Sequence, residues 1–350
     1  MHRRQILTGL AIATATTGLT ARIGSTQHSS TSPAPIKAPR LKPGDTVGII
    51  SPAGATYQHE ELAIVEEAVH GLGLIPKVAP HALDRYGYLA GTDENRAADI
   101  NAFFADPTVA ALLPVRGDWG SARVLPYLDY DLIQQNPKII VGFSDITALL
   151  LGIHAQTGLI TFHGPHGLTA WDDAQVQPFR QLLFDGATPT IQNPVFGENQ
   201  NRLMQVKGRI QTITPGQATG KLVGGNLSVI SGMVGSPYLP DMNGAILFLE
   251  DVGERPYRID RMLTQLKLAG ILDQLAGFIF GQCTSCNPGN SFGSLTLEEI
   301  LLDHIQPLGI PAWSGAWLGH VEPLLTVPIG VDVAIAASEG TIQLLEPAVG

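Results

Sequence analysis

Cysteine is nearly absent from this chain: two in 350 residues, Cys283 and Cys286, spaced C-x-x-C. So small a supply excludes a disulfide-framed mini-fold. It also excludes a cysteine-rich zinc module, because two thiols with no histidine pair nearby leave a tetrahedral site half filled. A buried, incidental pair is the plainest reading, and a small disulfide or thiol exchange stays open in an oxidising compartment. Basic residues are also scarce: 21 Lys and Arg against 31 Asp and Glu give a formal charge of −10. That balance argues against nucleic acid as a partner. Beyond residue 21 no apolar run is long enough to cross a bilayer. No metal or other cofactor is expected.

What is present is the composition of a globular protein, 44% hydrophobic and 15% charged, long enough for two cores. The first residues stand apart. Met1 to Thr8 is basic and Gly9 to Ala21 is apolar, small and uncharged, the layout of a signal peptide. Arg3-Arg4 before Gln-Ile-Leu resembles a twin-arginine export signal, which predicts delivery to the periplasm and no stable membrane span after processing. An uncleaved N-terminal anchor is the alternative, although the stretch is short for a span. Removing residues 1–21, which hold Arg3, Arg4 and no acid, takes the charge from −10 to −12. Residues 22–40, rich in Ser, Thr, Pro and Ala, read as a linker, with folding from Leu41.

From Leu41 to about residue 165, short apolar runs alternate with amphipathic ones. Strands are predicted at 46–50, 109–115, 138–142 and 159–162, and helices at 60–72, 94–104 and 146–157. This alternation signals an α/β fold with a mostly parallel sheet covered on both faces, whose ligand crevice lies beyond the strand C-termini. Residues 166–215 read as a crossing between domains. Residues 216–350 read as a second, β-rich domain, with strands at 245–250 and 278–280, helices at 257–268 and 295–305, and a terminal pair at 331–336 and 341–345.

Ser144 follows the apolar run Lys138–Gly142 and precedes a helical pattern. A strand-to-helix turn of this kind lifts a hydroxyl clear of the sheet and leaves amide groups facing an oxyanion. The match to G-x-S-x-G is partial, since Ile146 stands where the second glycine would be, and a helix N-cap would look the same. A serine nucleophile needs a base oriented by a carboxylate. Among the histidines, context leaves His163, His166 and His320, of which His320 lies in a loop suited to reaching across a cleft. Glu250 ends an apolar strand and therefore faces the crevice. Asp251, Glu254 and Asp260 follow it, and some of these must be structural.

Seven segments extend the reading: 88–96 (YLAGTDENR), 115–120 (VRGDWG), 142–145 (GFSD), 162–165 (FHGP), 224–226 (GGN), 249–261 (LEDVGERPYRIDR), and Gly319-His320 through Pro328-Ile-Gly330. Together they resemble the LD-carboxypeptidase family of serine peptidases, in register from about Leu41 to the C-terminus. The resemblance implies a parallel α/β sandwich followed by a β-rich swivelling domain, and a triad of Ser144, Glu250 and His320 at their junction. It also implies backbone donors near Asp145 and Gly117 for an oxyanion, and a homodimer. Asp118-Trp119 departs from the glycine and aromatic pair usual after Gly117, and a carboxylate there is unfavourable unless it points away. Arg116, Trp119 and His163 are the expected substrate contacts.

The expected activity is release of the terminal D-alanine from a muropeptide or peptidoglycan stem peptide. Two rivals are retained. One is a microcin-immunity-like peptidase cleaving an aminoacyl-nucleotide, with Trp313 or Trp317 as a base clamp; the other is a non-catalytic exported peptide-binding protein.

Overall fold

The computed structural model describes residues 33–286 and 293–350. The export signal at 1–21 and most of the linker at 22–40 lie outside the described residues. The first half runs β1 (Thr46–Ile50), α1 (His59–Gly71), β2 (Ile75–Val78), α2 (Asp93–Ala105), β3 (Val109–Pro114), α3 (Tyr130–Gln135), β4 (Ile139–Gly142), α4 (Thr147–Thr157), β5 (Thr161–His163) and α5 (Asp173–Leu183). The second half runs through β6 (Thr190–Ile191), β7 (Gln211–Thr214), β8 (Gln217–Asn226), α6 (Leu227–Met233), β9 (Ile246–Val252), α7 (Pro256–Leu268), β10 (Gly277–Thr284) and α8 (Leu297–Ile305). The chain closes with β11 (Ala312–Ser314), β12 (Val327–Ile329), β13 (Asp332–Ala336) and β14 (Thr341–Leu344).

Two sheets result. The first has the order β12-β5-β4-β3-β1-β2 and is parallel except for β12, as the alternation of apolar and amphipathic runs predicts. The second, β6-β14-β13-β8-β9-β10-β11-β7, is parallel from β8 to β11 and antiparallel at its flanks. Strands buried on both faces read as continuous apolar runs, and β4 is buried at every position.

α4 joins the layers. Its sequence, Thr-Ala-Leu-Leu-Leu-Gly-Ile-His-Ala-Gln-Thr, is apolar nearly all round, as a helix enclosed by other elements must be. It packs on β4 and β5 beneath it and on β8 and α6 of the second half. Leu149, Leu150, Leu151 and Ile153 are fully buried, each worth about 1.5–3 kcal/mol relative to exposure. Gly158 ends the helix in the left-handed region at φ 77°, its N–H returning to the His154 carbonyl at 2.8 Å.

Two expectations are corrected and one strand is added. The packed body includes residues before Leu41: the Ile36 N–H bonds the Gly158 carbonyl at 2.8 Å, Ala38 is fully buried, and the Gly350 N–H bonds the Ala38 carbonyl at 2.8 Å. Residues 36–40 are thus a packed strap. The division at 216 is crossed as well, because β12 lies antiparallel to β5 in the first sheet, with Val327 opposite His163. β2 escapes the sequence reading because Ile-Pro-Lys-Val is half exposed and carries a proline, which an edge strand tolerates.

Candidate active site

β4 delivers the chain to the rim, and the turn after it is tight for identifiable reasons. A Cβ on Gly142 would lie 2.8 Å from Ile146 Cγ2, so only glycine lets the helix start so soon after the strand. Ser144 takes φ 62°, a left-handed conformation that costs a non-glycine residue about 1–2 kcal/mol and is found where surrounding structure enforces it. A Cβ on Gly117 would come within 2.9 Å of Ser144 Cβ and 3.3 Å of the Asp145 amide nitrogen. The β3 loop therefore closes directly over the serine.

The serine hydroxyl lies 3.0 Å from Nε2 of His320. Nδ1 of the same ring lies 2.7 Å from Oε2 of Glu250. A carboxylate only accepts, so Nδ1 carries the proton and Nε2 is left as the acceptor for the serine O–H. Glu250 is fully buried at the end of β9, where its other oxygen accepts from Asn226 Nδ2 at 3.2 Å. Gly319 has no room for a Cβ, which would sit 2.3 Å from Glu250 Oε2. The His320 carbonyl accepts from Thr284 Oγ1 at 2.7 Å, and the Phe143 ring meets the imidazole edge-on at 5.0 Å between centroids.

Asn226 is the residue the sequence reading left without a part. Its amide bridges Glu250 and Asp251 (3.2 and 3.3 Å), its Oδ1 caps α6 through the Val229 N–H, and its own N–H donates to Thr147 Oγ1 on the nucleophile's helix. Burial raises the Asp251 carboxyl to about 6, against the N–H groups of Val252 and Ser228 that favour its ionised form. The signal for both residues was available in 224–226 and in the acid beside Glu250.

A cleft of ≈ 480 Å³ opens from Ser144 and is lined by Tyr88, Trp119, Arg123, Asn226, Asp251 and Glu254, among others. Larger hollows of ≈ 560 and ≈ 680 Å³ lie at the 192–210 loop and beside Cys283, and neither includes Ser144.

Of the expected substrate contacts, Trp119 lines the cleft and is exposed. Arg116 does not line it: its guanidinium is paired with Glu61 and lies 3.6 Å from Asp118. The Asp118 carboxylate is thereby held toward Arg116 and Gly54, which answers the difficulty of an acid beside an oxyanion. His163 is corrected. It is fully buried between Phe143 and Phe248, with both ring nitrogens unpartnered, and desolvation lowers it to about 4, so it is a neutral core side chain out of substrate's reach.

Cys283 and Cys286 are joined in a disulfide, so the reading of an incidental thiol pair is replaced. Trp313 is fully buried, and Trp317 packs on Phe196 at 4.4 Å; neither faces the cleft. Among the described residues no cluster of His, Cys, Asp or Glu suits a metal ion.

A serine at a strand-to-helix turn of a parallel sheet, with an imidazole and a buried carboxylate in series behind it, defines an α/β serine hydrolase. Residues 47–164 match the LD-carboxypeptidase N-terminal domain and residues 219–335 the LD-carboxypeptidase C-terminal domain. The chain belongs to the LD-carboxypeptidase family. It is 39% identical over 308 residues to the "Probable murein peptide carboxypeptidase" of Bacillus subtilis, covering 87% of this chain and 93% of that one. It is 32% identical over 335 residues to the microcin C7 self-immunity protein MccF of Escherichia coli, covering 89% and 96%. A solved wild-type apo structure of MccF superposes with a TM-score of 0.80 at 29% identity, covering 90% of this chain and all of that one.

Proposed function

We propose that this carboxypeptidase releases the terminal D-alanine from the L,D-bond of peptidoglycan tetrapeptide stems through Ser144, His320 and Glu250. The observation that carries this reading is the unbroken relay from Glu250 through His320 to Ser144, at 2.7 and 3.0 Å. His320 Nε2 takes the hydroxyl proton as Ser144 Oγ attacks the carbonyl of the L-configured residue. Glu250 then faces the imidazolium that forms. The developing oxyanion lies beside the backbone at Asp145 and Gly117, where amide donors aimed at new charge supply the largest stabilisation in such sites. His320 returns its proton to the departing amine of D-alanine, and water, activated by the same ring, releases the acyl group.

In the same proposal residues 1–21 act as a twin-arginine export signal, the substrate is a periplasmic turnover fragment or the wall itself, and the chain works as a homodimer. Fractionation of an Arg3→Lys/Arg4→Lys variant tests the address, and light scattering tests the assembly.

The decisive experiment is incubation of the purified chain with defined tetra- and pentapeptide stems and mass analysis of the products. Loss of one alanine from the tetrapeptide alone is expected, and Ser144→Ala should lower kcat by about 10⁴-fold or more with the fold unchanged. Near-normal turnover by that variant would reject the mechanism, and a wild-type chain that binds stems without cleaving them would favour a binding protein. The 32% identity to the microcin C7 self-immunity protein MccF, which has been solved in complex with aspartyl sulfamoyl adenosine, supports a second reading, hydrolysis of such an aminoacyl-nucleotide analogue. An aspartyl sulfamoyl adenosine substrate tests it, and preference for that compound over the tetrapeptide would reverse the assignment.

A further inference from the structure

An oxyanion site works only if its donors keep a fixed spacing, and here they come from two segments: Asp145 follows the nucleophile in the turn after β4, and Gly117 lies in the loop after β3. A buried carboxylate laces the two segments together. Oδ2 of Asp145 accepts the Ser121 N–H at 2.7 Å, and the Ser121 hydroxyl donates in return to the Asp145 carbonyl. The far end of the same loop is also held by a buried guanidinium. Arg96, on α2, donates through Nη1 to the carbonyls of Gly120, at 2.9 Å, and Pro52, and its Nη2 bonds Asp93. At the near end the Gly54 N–H donates to the Gly117 carbonyl at 2.9 Å. Asp145, Ser121 and Arg96 are all buried.

Stability alone is a weak reason for such an arrangement. Ionised groups are costly to bury, and well-packed apolar residues serve a fold as well or better. What a carboxylate and a guanidinium add is direction, because their hydrogen bonds orient the peptide groups they meet. This loop needs direction: Asp118 is left-handed at φ 74°, Gly120 at φ 106°, and a Cβ on Gly120 would strike Leu89. A non-glycine residue keeps that conformation only where its surroundings enforce it.

We propose that the side chains of Asp145 and Arg96 are positioning residues of the reaction: they clamp the loop 117–121 onto the nucleophile's turn, so that the oxyanion donors keep the spacing the transition state requires. This inference rests on the function proposed above and adds to it two side chains that act through the backbone they bond. The Asp145 amide faces the developing charge, while its carboxylate, through Ser121, sets where the opposing backbone stands.

Steady-state kinetics on the tetrapeptide, with matched thermal melts, test it in four variants. Asp145→Ala removes the acceptor for the Ser121 N–H, Asp145→Asn keeps an oxygen there, Ser121→Ala removes the return bond, and Arg96→Lys keeps the charge but loses the fork. Asp145→Ala should lower kcat by about 10²-fold with KM within about twofold, and Asp145→Asn should recover to within about fivefold of wild type. Ser121→Ala and Arg96→Lys should lower kcat by about fivefold and tenfold, again at constant KM; they carry the test if Asp145→Ala does not fold. A stem-peptide aldehyde gives a second readout, because Ser144 Oγ adds to its carbonyl carbon, the serine proton passes to His320, and the new oxyanion occupies the site. Its affinity should fall in step with kcat. Wild-type kcat in folded Asp145→Ala, or a loss carried by KM at unchanged aldehyde affinity, overturns the proposal while leaving the peptidase activity standing. Equal losses in Asp145→Ala and Asp145→Asn assign the effect to the charge and overturn it too, and wild-type kcat in Arg96→Lys removes Arg96 from the clamp. Release of no alanine by the wild-type chain refutes the function proposed above, and this inference with it.

Discussion

The nucleophile's side of the cleft is assembled within a few residues of chain, whereas the base's side is collected from the length of the molecule. Gly142, Phe143, Ser144 and the start of α4 form one continuous turn, stiffened by a strained φ and by glycines that admit no Cβ. His320 has no such local frame. Its ring is fixed by Glu250, its carbonyl by Thr284, its face by Phe143, and Glu250 in turn by Asn226. These partners lie 70, 36 and 177 positions from His320 for Glu250, Thr284 and Phe143 respectively. A locally built residue is insensitive to distant change, and a residue held by remote contacts inherits the stability of every segment that holds it.

The largest test of the contrast is Glu250→Gln. The amide keeps the shape of the side chain but can present a donor to Nδ1, which favours the wrong tautomer of His320 and leaves Nε2 protonated. A fall in kcat of about 10³–10⁴-fold is expected, with little change in KM. Single-turnover assays with matched thermal melts separate this from loss of fold. A variant within tenfold of wild type would mean that contacts other than the carboxylate orient the ring.

A smaller effect of opposite origin belongs to the rigid side. His163 and His166 are both lowered to about 4 by burial, so between pH 6.5 and 4 the unfolded chain binds protons that the native state refuses. Stability is then fully present above pH 6.5 and is lost as pH falls toward 4, by about 3 kcal/mol for a histidine depressed this far. Asp251, raised to about 6, works the other way, losing stability as pH rises through the window from 4 to 6. His163→Phe should flatten the acid limb of a denaturation series between pH 6.5 and 4. An unchanged slope would show that this histidine does not govern it.

Asn226→Ala probes the seam between the two sides. It removes the amide that faces Glu250 and Asp251 and the cap of α6, while the Asn226 N–H contact to Thr147 survives. We expect about 1–2 kcal/mol of destabilisation from the lost cap and about a tenfold fall in kcat, read by urea melts and steady-state assays. Destabilisation without loss of turnover would confine Asn226 to the fold.

The same contrast governs what was legible in the sequence. The parallel sheet and the Ser144 turn were readable because both are local: apolar runs, a glycine two positions before the serine, a helical pattern after it. Glu250 was readable as the acid at a strand tip. Residues whose meaning is purely tertiary were not. Arg116 looked like a free cation until Glu61, 55 positions away, was found to hold it; Arg123 gave no sign of facing the cleft; and His163 looked accessible because nothing local marks the end of β5 as covered by Phe248. β12 carries three residues with no periodicity, so its return to the first sheet could not be inferred.

The smallest predicted effect is the sharpest probe of remote support. Thr284 lies inside the four-residue span closed by the Cys283–Cys286 disulfide, and its hydroxyl donates to the His320 carbonyl at 2.7 Å. The same span is tied to β9, where Cys283 pairs with Asp251 and the Gly253 N–H bonds the Thr284 carbonyl at 2.8 Å. Thr284→Val keeps the volume and removes the donor, a loss of about 1 kcal/mol, so kcat should fall about three- to fivefold with the melting curve nearly unchanged. Reduction by a dithiol, which opens the disulfide to two thiols as the reagent is itself oxidised, frees the turn and should lower kcat to a similar degree. If both act through one contact, reducing the Thr284→Val variant adds little. Additive losses would mean that the disulfide supports His320 by another route, and no loss in either case would mean that Glu250 and Phe143 suffice to hold the ring.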